Sequence, residues 1–226
     1  MKTKNKNSRR KFIGALALGA TASTLGVLTN PIYAKSAKAI EIEFNDSEKW
    51  FKKIKGSHRI VYDGSTPHDG FPIIWNWAYY LSNNETGTAD KDMTAMTVLR
   101  HSALGLALED RLWKKYNLGV VFNVTDNSTG KPSLRNPYYE PKDGDFPLPI
   151  IDGIKRLQER GAMFCACDLA TKVYSNAVAQ QMNLDPAEVY EDWVSGILPG
   201  IQPVPSGVWA LGRAQENGCG YIFAGE

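Results

Sequence analysis

Among the residues able to do covalent chemistry, Cys167 has the most telling position. It closes the apolar run Ala162-Met163-Phe164-Cys165-Ala166-Cys167, and helical spacing begins just after it. A thiol at a strand-to-helix turn meets the first N–H groups and the dipole of the helix. Both favour the thiolate, which is the nucleophile. The negative charge of Asp168 opposes that ionisation. Cys165 lies two residues earlier, so on a strand it shares a face with Cys167. Burial as a small apolar side chain is the preferred reading for Cys165 and an open alternative for Cys167. Arg100 and His101 end another apolar run, Met93 to Leu99, and would set a cation and a titratable imidazole on a strand-end rim. The histidine could equally just support the following helix.

Two further places offer weaker chemistry. Ser206-Gly207 precedes a helical stretch, and its N–H groups suit an anion, although it is also an ordinary helix start. Cys219 stands between Gly218 and Gly220 in a turn that would expose it, and it could resolve an oxidised Cys167 as a disulfide. The C-x-C pair has no second Cys/His pair nearby, so no metal and no cofactor are expected. His58 and His68 have no evident partner. The sequence contains no G-x-G-x-x-G loop, no phosphate loop, no H-E-x-x-H and no G-x-S-x-G elbow.

The elements that must position these groups alternate in type. Strands are predicted at His58 to Asp63, Met93 to Leu99, Gly119 to Val124, Ala162 to Cys167, Ile201 to Pro205 and Tyr221 to Phe223. Helices are predicted at Phe71 to Leu81, at Ala103 to Tyr116, and through Ile150, Ile151, Ile154 and Leu157 to a stop at Arg160-Gly161. Three more run from Leu169 through Val178, from the capped start Asp185-Pro186-Ala187-Glu188, and from Gly207 to Asn217. This alternation predicts an α/β fold, a three-layer α/β/α sandwich with a mostly parallel sheet of about five strands. Residues 126–147, with their prolines, glycines and Tyr138-Tyr139, read as a long loop, either functional or an insertion used in subunit contact.

The chain of 226 residues is 43% hydrophobic, 22% charged and 11% aromatic, an ordinary globular composition. Its charge is uneven. Residues 1–39 hold eight basic side chains and no acid, leaving 18 basic against 24 acidic residues elsewhere, a net of −6. General nucleic-acid binding is therefore not expected. Three cysteines are too few for a disulfide scaffold.

The N-terminus has the form of an export signal. Lys2 to Lys11 make a basic region, and Ile13 to Leu28 make an apolar run too short for a comfortable membrane span. Ser8-Arg9-Arg10-Lys11-Phe12-Ile13 resembles the twin-arginine (Tat) pattern. Cleavage is expected after Ala34 or after Ala39, in Ala37-Lys38-Ala39. The expected organisation is a Tat signal over residues 1–39, an N-terminal arm over 40–56 with Phe44, Trp50, Phe51 and Ile54 as apolar contacts, and one domain over 57–226. The Tat translocase would then be a partner and the periplasm the destination.

The second half of the chain also carries a family likeness. Gly161-Ala162-Met163-Phe164-Cys165-Ala166-Cys167, then Leu198-Pro199-Gly200-Ile201, Val204-Pro205-Ser206-Gly207-Val208 and Gln215-Glu216-Asn217-Gly218-Cys219-Gly220-Tyr221-Ile222, resemble in order the DsrE/DsrF-like family of sulfur-relay proteins. The likeness is sharpest over the last sixty or so residues. It implies homo-oligomers and a persulfide on the strand-end cysteine, a position that Cys167 occupies here and Cys165 fits less well. Asp168-Leu169 and the 126–147 insertion depart from the family pattern. Two functions follow as expectations: a sulfur carrier or sulfurtransferase exchanging sulfur with a small sulfur species or a relay protein, or a non-catalytic ligand-binding or assembly module. A thiol–disulfide protein using Cys167 and Cys219 is a third.

Overall fold

The computed structural model describes residue 44 and residues 46–226. The Tat-like signal therefore lies outside the described residues. The main sheet has five parallel strands: β1 (His58–Gly64), β2 (Met93–Leu99), β5 (Met163–Cys167), β6 (Ile201–Val204) and β7 (Gly220–Phe223), in the order β6-β5-β2-β1-β7. A separate two-stranded hairpin, β3 (Thr125–Asp126) with β4 (Lys131–Pro132), lies in the insertion.

The strand order dictates the layers. From β1 through β2 and β5 to β6 the chain steps in one direction, and right-handed crossovers put every intervening helix on one face. That face carries α1 (Phe71–Glu85), α2 (Asp110–Lys115), α3 (Leu118–Val121), α4 (Ile154–Arg160), α5 (Asp168–Met182) and α6 (Pro186–Ser195). They pack with Tyr62, Ala95, Leu99, Phe164 and Ile201 in the larger core cluster. From β6 the chain must return across the whole sheet to β7, so α7 (Gly207–Glu216) falls on the other face. There Ala210, Leu211 and Ala214 pack with Val61, Met96, Val98 and Cys165. A helical segment at residues 46–51 joins this layer through Trp50 and Phe51, with Ile54 packed against it. The result is the predicted α/β/α sandwich.

Several sequence expectations are corrected. The helix predicted at Ala103 to Tyr116 is broken: a 3-10 segment, His101–Ala107, ends where Leu108 turns extended and bridges Ile197, and α2 restarts at Asp110. The strand predicted at Gly119 to Val124 is instead the short helix α3. Leu118 and Phe122, at helical spacing, both enter the core, and this burial overrides the β-preference of Val120-Val121. Gly119 is required there, because a Cβ on it would lie 2.3 Å from the Ser133 backbone. Ile150 is exposed, and α4 begins only at Ile154.

The insertion is a folded part of the domain. Arg135 makes a double hydrogen bond to the buried Asp145, at 2.8 and 2.6 Å. Buried Asn136 donates to the carbonyls of Leu106 and Leu108, which ties the insertion to the broken segment. Tyr138 and Phe146 pack against each other and close over Gly70.

Candidate functional site

The chain leaving β5 enters α5 on one face of the sheet, while the chain leaving β6 enters α7 on the other. Adjacent strands whose connections diverge in this way open a crevice at their carboxyl ends, where α/β proteins bind ligands. Here the change of face falls between β5 and β6, and the starts of α5 and α7 lie side by side there. Cys167, the last residue of β5, sits at that point.

Cys167 is also the N-cap of α5. Its Sγ accepts the Ala170 N–H at 3.3 Å, and the N–H groups of Gly207 and Leu169 act on the same sulfur. Two helix starts thus meet at one atom, with the hydrogen bond coming from α5. The two turns are joined where the Leu169 N–H donates to the Pro205 carbonyl at 3.3 Å. Just beyond these donors, Leu169 is 53% exposed and Val208 66%, so apolar side chains stand at both helix starts.

These donors do not make Cys167 a thiolate at rest. The residue is only 5% exposed, and burial pushes its pKa up despite the opposing pull of the three N–H groups. The expectation of an ionised strand-end thiol is corrected: desolvation outweighs the helix termini. Asp168 contributes less than its position suggests. Its carboxylate accepts Tyr190 Oη at 2.6 Å and pairs with Lys172 Nζ at 2.6 Å. Cys165 is fully buried in the α7-side cluster, and burial raises its pKa strongly. The two cysteines therefore differ more than strand alternation predicts. The capping turn folds the Cys167 sulfur over α5, where it packs in the opposite cluster.

Arg100 is on the same rim, but its charge is already used. Its guanidinium forms a double hydrogen bond with the buried Asp63 at the end of β1, at 2.6 and 2.9 Å. Tyr221 Oη donates to the same carboxylate at 2.9 Å. The pair raises the Arg100 pKa, so this cation is permanent. Gly207 presses against it, and a Cβ on Gly207 would lie 2.5 Å from Arg100 Cβ. Cys167, Gly207, Arg100, Asp63 and Tyr221 thus form a row along the carboxyl ends of the strands.

His101 does not join that row. It adopts a left-handed φ of 50° and lies edge-on to Tyr174, with the Tyr174 hydroxyl 3.4 Å from its ring nitrogens. Partial desolvation and the Arg100 charge lower the pKa of this solvent-exposed ring. Ser206 uses its hydroxyl to cap α7, accepting the Trp209 N–H at 3.2 Å, so Gly207 is the part of that dipeptide that reaches the site.

Cys219 is removed from the site altogether. It precedes β7, at the amino end of the sheet, whereas Cys167 ends β5. Three strand spacings of about 4.8 Å separate β5 from β7, about 14 Å before any offset along the strands. A disulfide needs Cα atoms within about 7 Å, so the proposed pairing fails. All three cysteines are free and buried.

Sequence reasoning missed Asp63 and Tyr221 as members of the rim. The available signal was an acid at the end of an apolar strand run, Ile60-Val61-Tyr62-Asp63, which has to be paired if that strand is central. Among the described residues no group of three or more His, Cys, Asp or Glu side chains is arranged to hold a metal ion. None of the described helices is long and apolar enough to cross a membrane.

No family model matches this chain, and no curated protein matches it. Among solved structures it is similar to a protein of unknown function from Methanobacterium thermoautotrophicum. The identity is 14%, the match covers 74% of this chain and 99% of the other, and the TM-score is 0.38.

Proposed function

We propose that this protein carries sulfane sulfur on Cys167, as a sulfur carrier or sulfurtransferase of the DsrE-like kind. The observation that carries the reading is the meeting of two helix N-termini at one sulfur atom: the Ala170 N–H donates to it at 3.3 Å, and the N–H groups of Gly207 and Leu169 are near enough to favour its charged form. The step is an exchange between Cys167 and a donor persulfide, R–S–SH. As Cys167 loses its proton, its sulfur attacks the donor's outer sulfur and forms a new S–S bond. The donor's S–S bond breaks, and the leaving thiolate takes up the proton as RSH. Nothing is oxidised overall. The N–H groups stabilise negative charge on the attacking sulfur as it forms and on the resulting persulfide. Burial shields that persulfide from water.

In this reading the Ser8-Arg9-Arg10 signal directs the folded chain through the Tat translocase to the periplasm. The test is to load purified protein with a low-molecular-weight persulfide, cap it with an alkylating agent and measure intact mass. Wild type is expected to gain one sulfur and Cys167→Ser none. Equal loading of both proteins rejects the proposal.

A second reading, a ligand-binding module, rests on a different observation. The folded insertion and α2 wall a cleft of about 390 Å³ lined by Arg111, Arg135, Asn136, Tyr139 and Lys142. It predicts that Tyr139→Ala abolishes ligand-induced thermal stabilisation while Cys167→Ser preserves it.

A further inference from the structure

We propose that Asp63 decides which sulfur donors Cys167 can use: by neutralising Arg100, it closes the site to dianionic donors such as thiosulfate and leaves it to persulfides carrying at most one negative charge. The inference rests on the sulfur-carrier reading and deepens it. Two cations stand near the sulfur, and each is matched by a buried carboxylate. Arg100 lies along the start of α7. A Cβ on Gly207 would be 2.5, 2.8 and 3.1 Å from its Cβ, Cδ and Cγ, and the Gly207 N–H is one of the groups acting on Cys167 Sγ. The guanidinium gives its Nε–H and a terminal N–H to Asp63, which is only 2% exposed. At the start of α5, Lys172 pairs with the buried Asp168 at 2.6 Å. His101 adds no charge at pH 8, because its pKa lies below the usual histidine value.

The Asp63 carboxylate is fixed in this role. Besides the two guanidinium bonds it accepts the Tyr221 hydroxyl at 2.9 Å, from the neighbouring strand β7. Three donors hold it, so it cannot swing away and release Arg100 to a ligand. Stability alone does not account for such a pair, since replacing a buried ion pair by apolar groups is often neutral or stabilising. Its effect on the neighbouring sulfur site is to cancel a charge that would otherwise draw anions.

What acts on the sulfur is then uncharged: the Ala170 N–H, the nearby N–H groups of Gly207 and Leu169, and the exposed apolar side chains of Leu169 and Val208 outside them. This setting supports one negative charge forming on sulfur, but it offers no counter-charge to the sulfonate end of thiosulfate. Loading from thiosulfate would require Cys167 Sγ to attack the outer sulfur. A new S–S bond forms, the old S–S bond breaks, and sulfite leaves with the thiol proton as hydrogen sulfite. Two negative charges would thus have to approach a sulfur that is almost wholly buried, where an unmatched charge is costly to desolvate. A persulfide R–S–SH releases neutral RSH and meets no such barrier.

The test compares initial rates of sulfur loading on the full chain at pH 8, from thiosulfate and from hydroxyethyl persulfide at equal concentration. Loading is read as added sulfur in the intact mass after alkylation. Wild type is expected to load from the persulfide at least tenfold faster than from thiosulfate. Asp63→Asn keeps the shape of the side chain and leaves the Arg100 charge unmatched. It is expected to raise the thiosulfate-to-persulfide ratio at least tenfold, most strongly at low salt. Adding Arg100→Gln should return the ratio to the wild-type value. The ratio is decisive because a merely loosened rim speeds both donors alike. Wild-type loading at similar rates from both donors overturns the inference, leaves the sulfur reading standing and depends on no variant. A ratio that stays flat in Asp63→Asn, or stays high in the double variant, also overturns it. Loading from neither donor rejects the sulfur reading, and the specificity falls with it.

Discussion

At the carboxyl end of the sheet, Cys167, Arg100 and Asp63 terminate three adjacent strands, and Tyr221 reaches in from the fourth. At the amino end of the same strands, Thr94 clasps the Lys55 backbone by accepting its N–H at 3.0 Å and donating to its carbonyl at 2.8 Å, and Cys219 lies beneath Arg59. Both ends contain a thiol and an arginine, yet only one has the makings of a site. The difference comes from topology. Helices that follow strands begin at the carboxyl end, so their N–H groups and dipoles collect there. Among the described strands, only β5 and β6 are neighbours followed by helices on opposite faces, so two such starts converge there. Cys219 has burial without converging helix starts, and Cys165 has burial alone.

Substitutions at the two ends should sharpen this contrast. The largest effect is expected from Asp63→Asn, which leaves Arg100 without its buried partner. Partial exposure of Arg100 limits the loss to about 2–3 kcal/mol, or about 5–10 °C in Tm by calorimetry. Next is Gly207→Ala, whose added Cβ would overlap Arg100. Overpacking of this sort costs about 1–3 kcal/mol, and urea titration should show it together with faster alkylation of Cys167. At the amino end, Thr94→Ala removes two hydrogen bonds and should cost only about 1 kcal/mol with no change at Cys167. If Thr94→Ala disturbs Cys167 as much as Gly207→Ala does, the two ends are not separate. The smallest effect is kinetic. Because burial raises the Cys167 pKa, its alkylation by iodoacetamide should be slow at pH 7 and still climbing above about pH 10, where an ordinary exposed thiol has levelled off.

Much of the scaffold was legible in sequence because its elements meet local and global demands at once. Pro186 after the Asp185 cap, Gly161 after α4 and the apolar run ending at Cys167 all act through nearest neighbours. The misread parts were decided by distant contacts. Leu108 is extended because Ile197 pairs with it, and the Val120 region is helical because the core takes Leu118 and Phe122. The insertion read as a long loop because the partners of its polar residues, as in Arg135 with Asp145, are set by tertiary contact and not by local spacing. The position of Cys167 could be read from its strand end. Its protonation state could not, since that depends on how deeply the two turns bury it. Nor could the consumption of Arg100 by Asp63, which needs β1 and β2 to be neighbours.

The central claim is that strand-end geometry, not the mere presence of a thiol, selects where sulfur is held. Peptide-resolved mass spectrometry of wild-type protein, exposed to a persulfide donor and capped before digestion, measures this directly. The account predicts added sulfur on the peptide holding Cys167 and none on the peptide holding Cys219. Label spread equally over both, or found only on Cys219, would contradict it.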